Sequence, residues 1–256
     1  MLPWLSTPHP LFPSTAQALR NPNGLLAAGG ALSPAWLIAA YRRGIFPWYS
    51  DEDPILWWSP DPRMVLFPAD FRLRRSLHKR LRNGGFHITL DAHFEQVIDA
   101  CAAPRAQETG TWITEEMRAA YIELNALGVA HSIEVHRDGR LVGGLYGLAM
   151  GPVFFGESMF SHEPDGSKIA LARLASAMHQ GGGKLIDCQM HTPHLASLGA
   201  ATVARQTFID YLEQWLPAAP ASTGALSSGV PPSPWLTAIP GEPGALGESP
   251  ISFPSS

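Results

Sequence analysis

HSIEVHRDGRLVGGLYGLAMGPVFFGESMFS, residues 131–161, decides the fold of this chain. β-Branched and aromatic residues alternate through three runs, 131–137, 140–150 and 153–161, which predicts three strands. Asp138-Gly139 and Gly151-Pro152 are tight-turn pairs, so the strands return on each other as an antiparallel meander. Downstream the period changes to that of a helix over 167–180, closed by Gly181-Gly182-Gly183. The stretch KLIDCQMHTPHLASLGA, 184–200, then reads as a short strand followed by a helix. Thr192 supplies the N-cap oxygen, Pro193 the first helical residue and Gly199 the stop. A last strand over 201–206 and a helix ending at Trp215 complete a mixed sheet flanked by helices.

Upstream, residues 1–62 are rich in Pro and Gly and form a small N-terminal domain. Ser33-Pro34 starts a helix over 34–43, and Gly44 ends it. The catalytic-sized unit runs from 63 to 216. Within it we expect a basic helix over 71–81, a strand over 86–90, a helix capped by Asp91 and a helix capped by Thr114. Residues 217–256, dense in Pro, Gly and Ser, are expected to be a disordered tail. Trp235 within it is a candidate weak docking residue.

The strand order resembles that of the GCN5-related N-acetyltransferases, whose splayed sheet hosts acyl transfer to amines; the resemblance implies an α+β fold and leaves the substrate open. In a CoA enzyme the junction after the meander binds pyrophosphate. Residues 161–166 here are acidic, which disfavours CoA.

Composition narrows the class. With 256 residues, 45% hydrophobic and 16% charged, the chain is globular. No apolar run reaches the ~18 residues of a membrane span. The start lacks a signal peptide, and Cys101 and Cys188 read as reduced thiols, so a cytoplasmic protein is expected. The net charge is −4, yet residues 63–82 carry seven basic side chains against one acid. Arg63, Arg72, Arg74, Arg75, Lys79, Arg80 and Arg82 point to a polyanionic partner, with a solvated helix face as the plain alternative.

Two acids sit where strands are expected to be buried. Glu157 and Asp187, with Gln189 beside the latter, suit a cationic substrate if their strands are neighbours. A salt bridge to Arg173 or Lys168 is the competing reading. Leu171, Leu174 and Met178 share one helix face, and with Leu145, Met159 and Ile186 they would wall a pocket for an unbranched or aromatic side chain. Gly181-Gly182-Gly183-Lys184 lacks P-loop spacing, and His191 and His194 lack partners at ligand spacing, so neither a nucleotide cofactor nor a metal is expected.

Several stretches together resemble the leucyl/phenylalanyl-tRNA–protein transferase family: PNGLLAAGGALS (22–33), YRRGIFPWYS (41–50), PILWWSPDPR (54–63), TWIT (111–114), AHSIEV (130–135), FGESMFS (155–161) and SLGA (197–200). They run in order from about Phe12 to Trp215; the Pro-rich tail and Gly166 depart from the pattern. The resemblance implies transfer of Leu or Phe, and Met less readily, from aminoacyl-tRNA to proteins with N-terminal Arg or Lys, marking them for N-end-rule degradation. No cofactor is expected, and the chain is expected to be a monomer. Trp48 and Trp112 would stack on the terminal adenosine, the apolar pocket would take the amino-acid side chain, and the basic cluster would hold acceptor-stem phosphates. Asp187 would orient the attacking amine beside Gln189, or act as a base relayed through it. A non-catalytic RNA-binding module would leave Glu157 and Asp187 unexplained.

Overall fold

The computed structural model describes residues 1–6, 9–103, 113–216, 230 and 233–238. Four short strands, β1 (Trp4–Leu5), β2 (Leu25–Gly29), β3 (Phe46–Pro47) and β4 (Leu56–Trp58), form one sheet in the order β1-β2-β4-β3. Helix α1 (Pro34–Tyr41) links β2 to β3, and Gly44 at φ +71° turns the chain out of it. Phe12, Trp36 and Trp57 pack edge-on or stacked within 6.0 Å of one another.

The second sheet has seven strands in the order β11-β5-β10-β9-β8-β7-β6. These are β5 (Arg63–Leu66), β6 (Phe86–Leu90), β7 (Ala130–Arg137), β8 (Arg140–Met150), β9 (Val153–Ser161), β10 (Leu185–Gln189) and β11 (Ala201–Val203). The antiparallel meander is β7–β9. Asp138 at φ 50° and Gly139 at φ 72° give its first turn two left-handed residues, which matches strand twist. Helix α5 (Gly166–Gln180) carries the chain over to β10, which joins β9 in parallel. Helices α3 (Phe94–Ala102) and α4 (Glu115–Ala126) cover the face shared with the N-terminal lobe; α5 covers the opposite one. The remaining helices are α2 (Arg75–Asn83), α6 (Pro193–Ser197) and α7 (Arg205–Trp215).

One core runs through both sheets. Tyr41 and Phe46 of the N-terminal lobe are buried with Tyr121, Phe155 and Phe208 of the larger one. Among the described residues no helix is long and apolar enough to cross a membrane.

Several expectations change. Strand β5 is absent from the sequence reading, although all four of its residues are buried. The basic helix begins at Arg75, because Pro68–Asp70 forms a separate 3-10 turn and Phe71 is buried. The last strand stops at Val203, and α7 begins at Arg205. Thr114 does cap α4, accepting from the Met117 amide at 3.2 Å. Asp91 does not cap α3: it adopts φ 54°, accepts the Ser132 amide at 2.7 Å and holds His131 Nδ1 at 2.6 Å. Gly166, the departure from the family pattern, lets the start of α5 pack closely on β8, since a Cβ there would lie 2.6 Å from the Val142 carbonyl oxygen. The tail is also corrected at 233–238, where Pro234–Ala238 forms a 3-10 turn and Trp235 is fully buried; the rest of 217–256 apart from Val230 lies outside the described residues.

Candidate active site

Strands β9 and β10 pair only through Val153–Phe155 and Leu185–Asp187. Both strands then bulge. Gly147 faces Gly156 while Tyr146 faces Ser158, which leaves Glu157 as the extra residue of β9. On β10, Asp187 faces Val65 and Gln189 faces Met64, so Cys188 is the extra residue there. Bulges end pairing and re-aim side chains, so the sheet opens between these two points. Residues 156–159 are half-buried where the strands before them are sealed.

A cavity of about 100 Å³ fills the opening, the same order as the ~150 Å³ apolar cavity that admits benzene. Leu145, Met159, Leu171, Leu174 and Ile186 line it as the sequence suggested, joined by Phe154, Tyr146 and Leu195. Met178 is a correction. One turn beyond Leu174, it lies fully buried against Gly183 and is absent from the lining. Cys188 does line the cavity, but burial, and then the adjacent Asp187 carboxylate, push its thiol far up, so it is an apolar wall and not a nucleophile.

The polar end is a half-buried relay. Gln189 Nε2 donates to Glu157 Oε1 at 2.8 Å, and the Tyr121 hydroxyl donates to Glu157 Oε2 at 2.9 Å. The Tyr41 hydroxyl bonds in turn to that of Tyr121. Burial raises the Glu157 carboxyl to about 8; the Tyr41 and Tyr121 hydroxyls pull it back, Asp187 adds to the rise and Arg63 opposes it. Burial, and then the Glu157 charge, keep the hydroxyls of Tyr41, Tyr121 and Tyr146 protonated. Tyr146 Oη is buried with no hydrogen-bond partner among the described residues.

Asp187 is not an open carboxylate. Arg63 Nε and Nη2 grip its two oxygens at 2.8 and 2.6 Å, and the Gln189 amide donates to Oδ1 at 2.9 Å. Both partners of this fork are at most 1% exposed. Arg63 Nη1 also donates to the Gly44 carbonyl, and its guanidinium lies 4.7 Å from the Phe46 ring centre and 4.8 Å from that of Phe208. Arg63 therefore leaves the phosphate-binding set, because no phosphate reaches a sealed guanidinium whose fork a carboxylate already holds. Asp187 holds Gln189 in its left-handed conformation, φ 59°, which a non-glycine residue adopts only when its surroundings enforce it. The salt-bridge reading had the right chemistry and the wrong cations, since neither Arg173 nor Lys168 is involved.

Of the other basic residues, Arg72, Arg74, Arg75, Lys79 and Arg82 are exposed on or just before α2. Arg80 is half-buried, 3.9 Å from both Glu163 and Asp165, and its guanidinium lies over Phe86. Trp48 is 38% exposed and meets Trp58 edge-on at 5.4 Å. Trp112 lies outside the described residues.

The sequence matches the family model described as leucyl/phenylalanyl-tRNA protein transferase over residues 65–213, and that of the family's N-terminal domain over 30–61. The chain belongs to this family. A leucyl/phenylalanyl-tRNA–protein transferase of Chromohalobacter salexigens is 61% identical over 233 residues, covering 88% of this chain and 91% of its own. That of Azoarcus sp. is 57% identical over 235 residues, 92% and 95% of the two chains. A solved GCN5-related N-acetyltransferase from Kribbella flavida overlaps 63% of this chain and 57% of its own with a TM-score of 0.36 and 13% identity. In this transferase chain the residues that sequence reasoning missed are Arg63 as a buried partner and Tyr41, Tyr121 and Tyr146 as the hydroxyl cage. Arg63 carries a weak signal, standing one residue before the apolar run Met64-Val65-Leu66.

Proposed function

We propose that the chain moves a leucyl or phenylalanyl group from the 3′ end of its tRNA to the α-amine of proteins beginning with Arg or Lys. The product is a destabilising N-terminus for cytoplasmic N-end-rule degradation. The observation that carries this reading is an apolar cavity of side-chain size whose polar end is the Glu157–Gln189 pair. Leucine or phenylalanine fills the apolar part, with methionine a poorer occupant. Trp48 and Trp112 stack on the terminal adenosine. Arg72, Arg74, Arg75, Lys79 and Arg82 take the acceptor-stem phosphates. One chain holds the whole cavity, so a monomer suffices.

The acceptor's cationic side chain binds at Glu157. At pH 7 this carboxyl is mostly protonated, and an arriving guanidinium or ammonium favours its ionised form, so binding releases a proton. Gln189 uses Nε2 on Glu157, and its Oε1 accepts from the attacking amine. Roughly a tenth of α-amine is neutral at pH 7, given a reference pKa near 8. The tRNA ester is already activated, so placing the amine against it supplies most of the rate. Asp187 acts through Gln189 and touches no reacting atom. The unpartnered Tyr146 hydroxyl is a polar contact for the bound aminoacyl group.

The test is to incubate the chain with labelled leucyl-tRNA and an Arg-initiated peptide, without CoA or metal. Labelled peptide is the expected result. Binding of the tRNA with no peptide labelling would refute transfer and favour an RNA-binding module.

A further inference from the structure

Trp235 lies beyond the region matched by the family model, in a stretch whose composition gives it no reason to fold. It is nonetheless completely buried. Its indole Nε1 donates to the Gly151 carbonyl at 3.0 Å, so the ring's one polar atom is satisfied at the β8–β9 turn. Its backbone lies against Gly181, where an added Cβ would stand 2.5 Å from the Trp235 Cα. Arg173 Nη2 donates to the Ala238 carbonyl at 3.1 Å and ties the far side of the turn to α5.

The indole also packs edge-on against Phe154, with ring centres 5.8 Å apart and planes at 80°. Phe154 is a wall of the acyl cavity. Its ring also rests on the bare backbone of Gly147, where a Cβ would come within 2.7 Å of the ring. One phenylalanine thus touches both the cavity and the indole, with Gly147 as its other close support.

We infer that Trp235 is a specificity-determining positioning residue, which backs Phe154 and thereby sets the depth of the amino-acid cavity. The inference rests on the transferase reading. Close-packed walls do not stay in place when their backing is removed. Without the indole, the Phe154 ring moves into the space vacated beside the β8–β9 turn and the cavity deepens. Leucine gains nothing from the extra depth, whereas phenylalanine gains room for its ring. Room worth one methylene in a hydrophobic pocket changes discrimination by about 10- to 200-fold.

The experiment places leucyl-tRNA and phenylalanyl-tRNA in competition for one Arg-initiated peptide and reads the ratio of their kcat/KM values. Both substrates meet the same enzyme population, so loss of folded protein cancels from the ratio. Trp235→Ala is expected to shift it at least about tenfold toward phenylalanine, and Trp235→Phe to return it to within about threefold of wild type. Where Trp235→Ala does not fold, Gly181→Ala carries the same expectation, because its methyl group displaces Trp235 while leaving the indole in the chain. A ratio within twofold of wild type in the folded variants, with only a lowered Tm, overturns the inference. A wild-type protein that transfers neither group refutes the transferase reading, and this inference with it.

Discussion

Asp187→Asn separates a positioning carboxylate from a catalytic base. The substitution keeps the shape of the side chain and removes its charge, which leaves the Arg63 guanidinium in a site only 1% exposed. Breaking one side of a buried pair costs about 3–5 kcal/mol, because the remaining charge has neither water nor a partner. In a chain of this size each kcal/mol lowers Tm by about 2–4 °C, so the expected fall is roughly 6–20 °C. Burial also shields the pair from ions, so the loss should be nearly the same at low and high salt. Combining Asp187→Leu with Arg63→Met removes both charges, and this double variant should be more stable than Asp187→Asn. Transfer should slow in both. The leucine removes the acceptor that the Gln189 amide has at 2.9 Å. The asparagine keeps an oxygen but turns an NH2 donor against the Arg63 fork, which loosens the brace of the left-handed turn. The assay pairs thermal unfolding with single-turnover transfer at saturating substrate across a pH series. A variant with an unchanged Tm, whose rate collapses and is restored by raising pH, would sink this account and make Asp187 the base.

Glu157 has a folded-state pKa raised from 4.5 to about 8, so the folded protein holds a proton that the unfolded chain releases. Its contribution is fully present below pH 4.5 and is lost as pH rises toward 8, by up to about 1.4 kcal/mol per pH unit; Glu157→Gln should flatten that slope in urea unfolding. Gly166→Ala should destabilise by about 1–3 kcal/mol although alanine is the better helix former, because the methyl group meets the Val142 carbonyl and Gly143 Cα. An unchanged Tm there would remove the close-approach argument. Arg74→Gln with Arg75→Gln should weaken tRNA binding and lower the slope of log K against log salt by about one per residue. An unchanged slope would take α2 out of the tRNA footprint.

Much of the fold was legible because local signals agreed. The meander announced itself through Asp138-Gly139 and strand alternation, and Thr114 and Thr192 acted as the caps their spacing implied. What escaped depends on contacts far apart in sequence. Arg63 looks like one more member of a basic run until β5 seats it between β11 and β10, where its partner lies 124 residues away in sequence. The acids at 157 and 187 were visible; the bulges that give them different fates were not, because a bulge is one residue of mismatch between two ladders. Asp91 looked like an N-cap and serves β7 instead. Trp235 was hidden by its neighbours, since a Pro- and Gly-rich composition averages away one well-seated anchor.

Arg63 also touches more of the molecule than its pairing with Asp187 requires. One guanidinium meets Gly44 and Phe46 of the smaller lobe, Phe208 of α7 and the carboxylate that braces Gln189. The boundary between the two matched regions, at 61 and 65, therefore falls beside a residue that joins them. The lobes read as two modules in sequence, yet one buried side chain is seated in both. A change in the seat that Gly44 and Phe46 give Arg63 would therefore be felt across the lobe boundary, at the carboxylate that braces Gln189.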